Sequence, residues 1–446
     1  MKTIIQLLFL LNTFCIIGQD GHLDTTFNPT VNLSSSVYAI AEQADGKILI
    51  GGDNFIIRLN AYGASDSSFN NVANFSGVVN DIVIHNNKII VVCSSPSYIK
   101  RLNFDGTLDT SFNFLGGSPS GYISNVKIVG NDKILIAGDF YQINNVPQVS
   151  LARLNSDGSL DTTLDLDFAP FTTIRTMDVM PDGTFIIAGH DNQTPPNFIL
   201  RKYFEDGTLD TSFSGSEDNY IYDLKIQQDG KIMICGPFNE YNNVARYGIA
   251  RLNSNGTLDT TFDSYNLPQN GSTSTILSAS IIDDKYIISG SFNIYNGVTS
   301  RFLAKINQDG TIDSTFNVGQ GPSGVVWVTY VQNDGKILIG GDFSTYKGIP
   351  VNKLARLNNT LLSANTSVFN NESFLYPNPT KNTICVTKDN IQVDATAHIY
   401  ALTGELLKTE LLNKSKIIDL SELATGIYLI TIKNGTQTFS AKIIKE

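Results

Sequence analysis

The sequence predicts an all-β chain: a seven-bladed β-propeller of four-stranded blades closed by an N-terminal strand, followed by a small C-terminal immunoglobulin-like β-sandwich. Three observations carry this expectation. A glycine-turn motif occurs seven times at intervals of 42 to 54 residues, at Gly21, Gly63, Gly106, Gly158, Gly207, Gly256 and Gly310. Two further motifs recur in step with it, and all three stop after Asn358. Self-similarity at this period is the signature of stacked or radial repeats.

The turn motif reads Asp-Gly-x-Leu-Asp-Thr-Thr-Phe. Its copies run Asp20–Phe27, Tyr62–Phe69, Asp105–Phe112, Asp157–Leu164, Asp206–Phe213, Asn255–Phe262 and Asp309–Phe316. The second motif is an apolar run ending in small residues, Lys-Ile-Leu-Ile-Gly-Gly at Lys47–Gly52. It recurs from Lys88, Lys133, Thr184, Lys231, Lys285 and Lys336. The third, Ala-Arg-Leu-Asn, is clearest at Ala152–Asn155, Ala250–Asn253 and Ala355–Asn358, with weaker forms at Arg58, Arg101, Arg201 and Lys305.

Each period therefore holds four short β-type runs: an alternating one such as Val37–Ile40, then the apolar run, then Ala-Arg-Leu-Asn, then Leu-Asp-Thr-Thr-Phe. Apolar runs bounded by Gly, Asp and Asn are strand signals, and an unbroken one implies burial on both faces. The Asp-Gly pairs predict two-residue type I′ hairpins. Four antiparallel strands per period of this length make a propeller blade. The paired small residues after the apolar run are expected where neighbouring blades crowd.

Motif order adds one inference. The first turn motif precedes the first apolar run, and the last Ala-Arg-Leu-Asn has no turn motif after it. Pairing of Leu23–Asn28 with the Ala355 strand would complete the seventh blade and leave no open edge.

Composition narrows the class. The chain has 446 residues, 41% hydrophobic and 16% charged, enough for one large repeat domain and a small one. A net charge of −11 argues against a nucleic-acid partner, which needs clustered Lys and Arg. Residues 1–19 carry a basic start at Lys2 and an apolar run over Ile4–Ile17, the pattern of a secretory signal peptide. That run is too short to span a bilayer, and no later stretch predicts a transmembrane segment. Cys15 follows the bulky Phe14, which disfavours lipidation there. Cys93, Cys235 and Cys385 are odd in number and sit in apolar runs, so they are expected as buried thiols.

The repeats resemble the delta-60 repeat family, whose members carry Gly-Lys-Ile-Leu-Val-Gly-Gly-x-Phe and Arg-Leu-Asn-x-Asp-Gly-x-Leu-Asp and are taken to form propellers. The resemblance covers about residues 20–358 and implies nothing specific about a ligand.

Beyond it, residues 359–373 read as a Ser/Asn/Thr-rich linker, and residues 374–446 hold apolar runs at Thr383–Val386, Ala397–Ala401, Lys416–Leu420, Ile427–Ile432 and Phe439–Ile444. Tyr376-Pro-Asn-Pro-Thr380, Ile399–Leu407, Asp419–Gly435 and the closing Lys442–Glu446 resemble the type A sorting domain of the type IX secretion system of Bacteroidetes. The resemblance implies recognition of residues 374–446 by that machinery after export to the periplasm. It also implies passage across the outer membrane, usual removal of the domain, and a product released or attached to surface polysaccharide. The expected product is secreted or extracellular, and possession of a signal peptide fits that route.

Signals for chemistry are sparse. His22, His85, His190 and His398 share no repeat position and no metal-ligand spacing, and no hydrolase or phosphate-loop motif occurs. The Asn155–Asp161 turn has part of a calcium loop but lacks its terminal Glu. No catalytic, cofactor-binding or metal-ligating residue is assigned, and no cofactor is expected. Four blades carry an extra hairpin (140–151, 238–249, 292–303, 343–354) with Tyr141, Tyr241, Tyr295 and Tyr346, which either enlarges a contact surface or packs the blade's own edge. The expected function is a non-enzymatic binding or adhesion scaffold for an unknown protein or glycan ligand. The alternatives are a propeller polysaccharide-active enzyme and a structural surface or motility component.

Overall fold

The computed structural model describes residues 20–70, 75–94, 98–116, 121–164, 166, 173–191, 196–263, 274–282, 284–359, 375–376, 380–386, 395–401, 406–413, 416–434 and 437–445. The expected signal peptide and nearly all of the expected linker lie outside the described residues. Two compact units emerge, residues 1–361 and 362–446. Among the described residues all regular structure is strand, and no helix is long and apolar enough to cross a membrane.

Residues 37–359 form seven blades, each a meander of three regular strands. The first blade shows the pattern: Val37–Glu42, Ile48–Gly52 and Phe55–Leu59, in that order across the sheet. The later blades start at Val78, Tyr122, Thr173, Asp223, Thr275 and Val326. The apolar run is the middle strand every time, which is why it reads as an unbroken apolar stretch. Ile48, Leu49 and Ile50 are all fully buried, as are Ile337, Leu338 and Ile339 in the seventh blade. Successive side chains point to opposite faces, so one strand serves two interfaces. Accordingly the apolar clusters lie between blades: Ala39 and Leu49 pack with Val79, Ile89 and Val91, and Val37 and Ile48 pack with Leu338 and Leu354.

The fourth run differs from a regular strand. It pairs with its blade through one isolated bridge, as in Leu102 with Leu108 and Leu252 with Leu258. The aspartate that follows ends the pairing: Asp259 Oδ1 accepts the backbone N–H of Thr261 at 3.0 Å and its hydroxyl at 2.6 Å, turning the chain. The Asp-Gly turns also depart from type I′. Gly106 has φ of 90°, but the Asp105 before it is not in the left-handed region. The Gly106 N–H bonds back to Asn103 O and the Asn103 N–H to Thr107 O, a three-residue loop with a glycine bulge. Asp105 can stay at negative φ because its carboxylate holds the Thr107 N–H at 3.0 Å. Pairs with positive φ at both central residues occur instead at Asn86-Asn87, Asn144-Asn145 and Asn242-Asn243.

The Leu-Asp-Thr-Thr-Phe aspartate anchors an electrostatic clamp that repeats around the blades. Asp259 lies 2.8 Å from Arg251 and 2.9 Å from Lys231, one cation from each neighbouring strand. Burial alone would raise its carboxyl, but hydrogen bonds from Thr261 and Lys231 and the Arg251 guanidinium hold it well below the usual carboxylate range. Asp66, Asp109, Asp161 and Asp313 are clamped likewise. In the fourth blade the register places Lys202, rather than Arg201, opposite Asp210 at 3.3 Å. In the seventh blade Arg356 has no aspartate eight residues on, and Asp24 takes that place at 2.8 Å from both Arg356 and Lys336. Around it, Leu23 bridges Leu357, Gly21 N–H donates to Asn358 O, and Asp24 N–H donates to Arg356 O. The clamp arginines reach on to the next blade's turn, Arg58 to Phe104 O, Arg153 to Glu205 O and Arg356 to Ala61 O.

The C-terminal unit has a three-stranded sheet (Leu375–Tyr376, Thr383–Val386, Ile417–Asp419) and a four-stranded one (Leu406–Leu411, Thr396–Ala401, Gly426–Asn434, Gln437–Lys445). Ile384, Ala397, Ile399, Ile418, Ile430, Ile432 and Ile443 close its core. Leu406–Leu411 escapes a reading of apolar runs because it is an edge strand, with Leu411 68% exposed.

Candidate functional site

The two small residues that end the middle strand act in different ways. A Cβ on Gly51 would stand 2.4 Å from Val79 of the next blade, and one on Gly340 2.7 Å from Val37, so the first position answers to blade crowding. The second answers to the blade's own first strand. A Cβ on Gly138 would meet Tyr122 O at 2.1 Å, and one on Gly341 would meet Val325 O at 2.2 Å. Opposite these glycines the first strand carries a β-bulge. The pairing register shifts between Val37 and Ala39, Val79 and Asp81, Ile123 and Asn125, Ile174 and Thr176, Ile276 and Ser278, and Val326 and Val328.

A bulge leaves one residue unpaired and re-aims its side chain. The residues so released are Tyr38, Asn80, Ser124, Arg175, Leu277 and Trp327, with Tyr222 at the matching place in the fifth blade. Six of these seven line an open cavity of about 810 Å³, together with Ser94, Tyr122, Thr275 and Ser291. Because six of the seven blades contribute, this is the axial mouth of the propeller. Sequence reading missed it. The available signal was the residue after the first buried Val or Ile of each repeat, whose type changes from blade to blade while the residue before it stays Val or Ile.

One arc of the mouth is aromatic and cationic. The Arg175 guanidinium lies 4.5 Å from the Tyr220 ring centre and 5.6 Å from that of Tyr222, whose rings stack 6.2 Å apart. Trp327 is 39% exposed and lies 6.0 Å from Tyr38. Arg175 Nε is buried without a hydrogen-bond partner among the described residues, and no ion pair engages the side chain there. Below the rim, charges are engaged. Lys127 pairs with Asp178 at 3.3 Å and Lys225 with Asp223 at 2.7 Å. Asp81, Asp178 and Asp223 each accept a backbone N–H from the next blade, of Val126, Ile226 and Ala279 respectively. These carboxylates fasten blade to blade.

The features weighed from sequence fall elsewhere. Tyr241, Tyr295 and Tyr346 are buried, and their hydroxyls donate to the turn carbonyls Gly256 O, Gly310 O and Gly21 O at 2.6, 3.0 and 2.6 Å. They pack the edge of the blades. Tyr141 does not share their place: Ile143 takes it, and Tyr141 is 51% exposed. Cys93 and Cys235 are buried free thiols, and Cys385 is half-buried. Asp157 of the calcium-like turn is engaged by Ser159. His85 meets Asp132 at 2.7 Å, and His190 packs edge-on against Tyr220.

Glu217, on the segment beside Tyr241, is a separate matter. Both its carboxyl oxygens are buried without a partner among the described residues, and burial, with Asp218 adding to it, pushes its carboxyl up to about 8. A raised folded value means the stability it lends is full below the unfolded value and lost as pH rises through about 8. We therefore expect Glu217→Gln to leave thermal stability unchanged at pH 4 and to raise it at pH 9. Melts of parent and variant at both pH values test this, and parallel curves throughout would contradict it.

A repeat propeller with a lined axial mouth, joined to a second β-unit with its own core, is the class that fold and site define. The chain carries seven repeats of the family described as Domain of unknown function (DUF5122) beta-propeller, at residues 43–69, 86–112, 130–164, 181–213, 227–262, 283–316 and 332–360, and ends in a Secretion system C-terminal sorting domain at residues 374–446. That domain directs export by type IX secretion to the cell surface or extracellular space and engages the secretion machinery. No curated protein sequence matches the chain. Solved structures of similar fold include PorZ, a surface component of the type IX secretion system of Porphyromonas gingivalis, with TM-score 0.49 and 11% identity over 95% of this chain and 60% of that one. BamB from Moraxella catarrhalis gives 0.44 and 13% over 75% and 86%, and the WD40 propeller domain of Doa1 gives 0.37 and 13% over 72% and 77%. The chain thus spans 60% of the length of PorZ.

Proposed function

We propose that the protein is a secreted or cell-surface binding scaffold, non-enzymatic, that captures a glycan or protein ligand at the axial mouth of its propeller. The observation that carries this reading is the ring of bulge residues. Six of the seven blades bring the side chain at this position to a single open cavity of about 810 Å³. Aromatic side chains at such a mouth offer large apolar faces with polar rims, which suits sugar rings and peptide side chains alike. The acids deeper in the channel hold backbone N–H groups and lysines, which leaves them a structural task.

The test is a screen of the mature protein against glycan arrays and chromogenic glycosides, with Trp327→Ala alongside. Binding without hydrolysis is expected, and Trp327→Ala should weaken it about tenfold. Turnover that survives dialysis against chelator would refute the non-enzymatic reading. Ligand binding that ignores Trp327→Ala would move the site away from the mouth.

A further inference from the structure

We infer that the mouth selects an acidic glycan, with Arg175 holding an anionic oxygen group of the sugar, a carboxylate or a sulfate ester. The inference rests on the mouth being the binding site. Arg175 is a fixed cation that nothing described neutralises. It forms no ion pair and its Nε has no hydrogen-bond partner among the described residues, whereas Lys127 and Lys225 in the channel below are paired. Leaving a guanidinium donor buried and unbonded costs free energy that an incoming anion would recover. The side chain is also held in place. Its Cζ lies over the rings of Tyr220 and Tyr222, and Tyr220 is in turn packed by Phe198 and His190, each at 4.9 Å. A guanidinium held over aromatic rings can still present N–H donors to a carboxylate or sulfate.

A sugar fits the remaining lining better than a peptide does. Trp327 offers an exposed aromatic face on which a pyranose ring can lie, and Asn80, Ser94, Thr275 and Ser291 supply short polar groups that match closely spaced hydroxyls. An extended peptide would seek a free strand edge to pair with. The first strands turn an edge to the channel, but its backbone donors at Val126, Ile226 and Ala279 are already taken by the carboxylates of Asp81, Asp178 and Asp223.

Titration calorimetry on the mature full-length protein tests this with four probes: an oligouronate, a sulfated oligosaccharide, a neutral oligosaccharide of matching length, and an acidic peptide. At least one charged sugar should bind about ten- to a hundredfold tighter than the neutral one, the range of a charge-assisted hydrogen bond. Which of the two wins identifies carboxylate or sulfate as the source. Arg175→Gln should reduce the charged sugar to the neutral level with an unchanged melting temperature, and Arg175→Lys should restore part of the difference. Equal affinity for charged and neutral sugars, with Trp327→Ala still weakening both, would overturn the acid specificity and leave the binding site standing. Preference for the acidic peptide over every sugar would overturn the glycan assignment. Affinity for a sugar that neither Arg175→Gln nor Trp327→Ala alters would overturn the inference and the proposed site together.

Discussion

A mature chain lacking residues 20–30 is expected to melt far below the parent or to aggregate. The reason is the company that segment keeps. Asp24, 5% exposed, is the carboxylate partner of Arg356 and Lys336, and without it Arg356 is left as a buried cation. Stripping one partner from a buried pair costs about 3–5 kcal/mol. Phe27, 7% exposed, leaves with it, a burial worth roughly 1.5–3 kcal/mol, and so does the half-buried Leu23. The Tyr346 hydroxyl also loses its acceptor, Gly21 O. Against a total of about 5–15 kcal/mol the sum is large. These contacts join residues 332 positions apart at Asp24 and Arg356, so no local rearrangement replaces them. Asp24→Asn should show a smaller loss in the same direction. A truncated protein that melts within a degree or two of the parent would mean that the segment contributes nothing to the seventh blade.

Deletion of residues 376–446 is expected to abolish surface and extracellular delivery and to leave the propeller trapped in the periplasm of its host. The sorting domain occupies residues 374–446 and has a core of its own, built on residues such as Leu375, Ala397, Ile418 and Ile430. The propeller's clusters are complete by Leu357. A propeller released from periplasmic extracts with an unchanged melting temperature would separate a sorting defect from a folding defect. Fractionation of cells expressing the truncated chain supplies the readout. Its appearance in the medium at parental levels would show that export does not depend on this domain.

Most of the fold was legible because the repeat imposes the same physics seven times. An apolar run flanked by small residues has one comfortable place, the middle of a blade buried on both faces, and the structure puts Ile48–Gly52 and its counterparts there. The errors were local. Asp-Gly was read as a type I′ turn, but the Asp105 carboxylate stabilises a different loop by holding Thr107. The run after it was read as a strand, yet the aspartate that begins Asp-Thr-Thr reverses the chain after one bridge. The mouth was not legible for a deeper reason. A bulge is a property of two paired strands, and its trace in the sequence, a glycine such as Gly138 opposite Ser124, lies far from the residue it displaces. Period-two reading assigns Arg175 or Trp327 to an alternating strand and misses their shared direction. The extra hairpins drew attention instead because they carry tyrosines, and three of those tyrosines turned out to serve as edge packing.

The bulges separate what the protein must keep from what it is free to change. Tyr38, Asn80, Ser124, Arg175, Tyr222, Leu277 and Trp327 differ in size, charge and polarity, yet the apolar middle strands they stand beside repeat with little change. Swapping one of these side chains leaves the clamps and the inter-blade apolar clusters untouched, and only Asn80 and Ser124 among them also bond a carbonyl of the next blade, Ile123 O and Ile174 O. A lineage built from such repeats can therefore drift from one ligand to another through single exchanges at the rim, each with little penalty to folding. Six positions at the mouth, varied independently, supply a combinatorial recognition surface on a repeated frame.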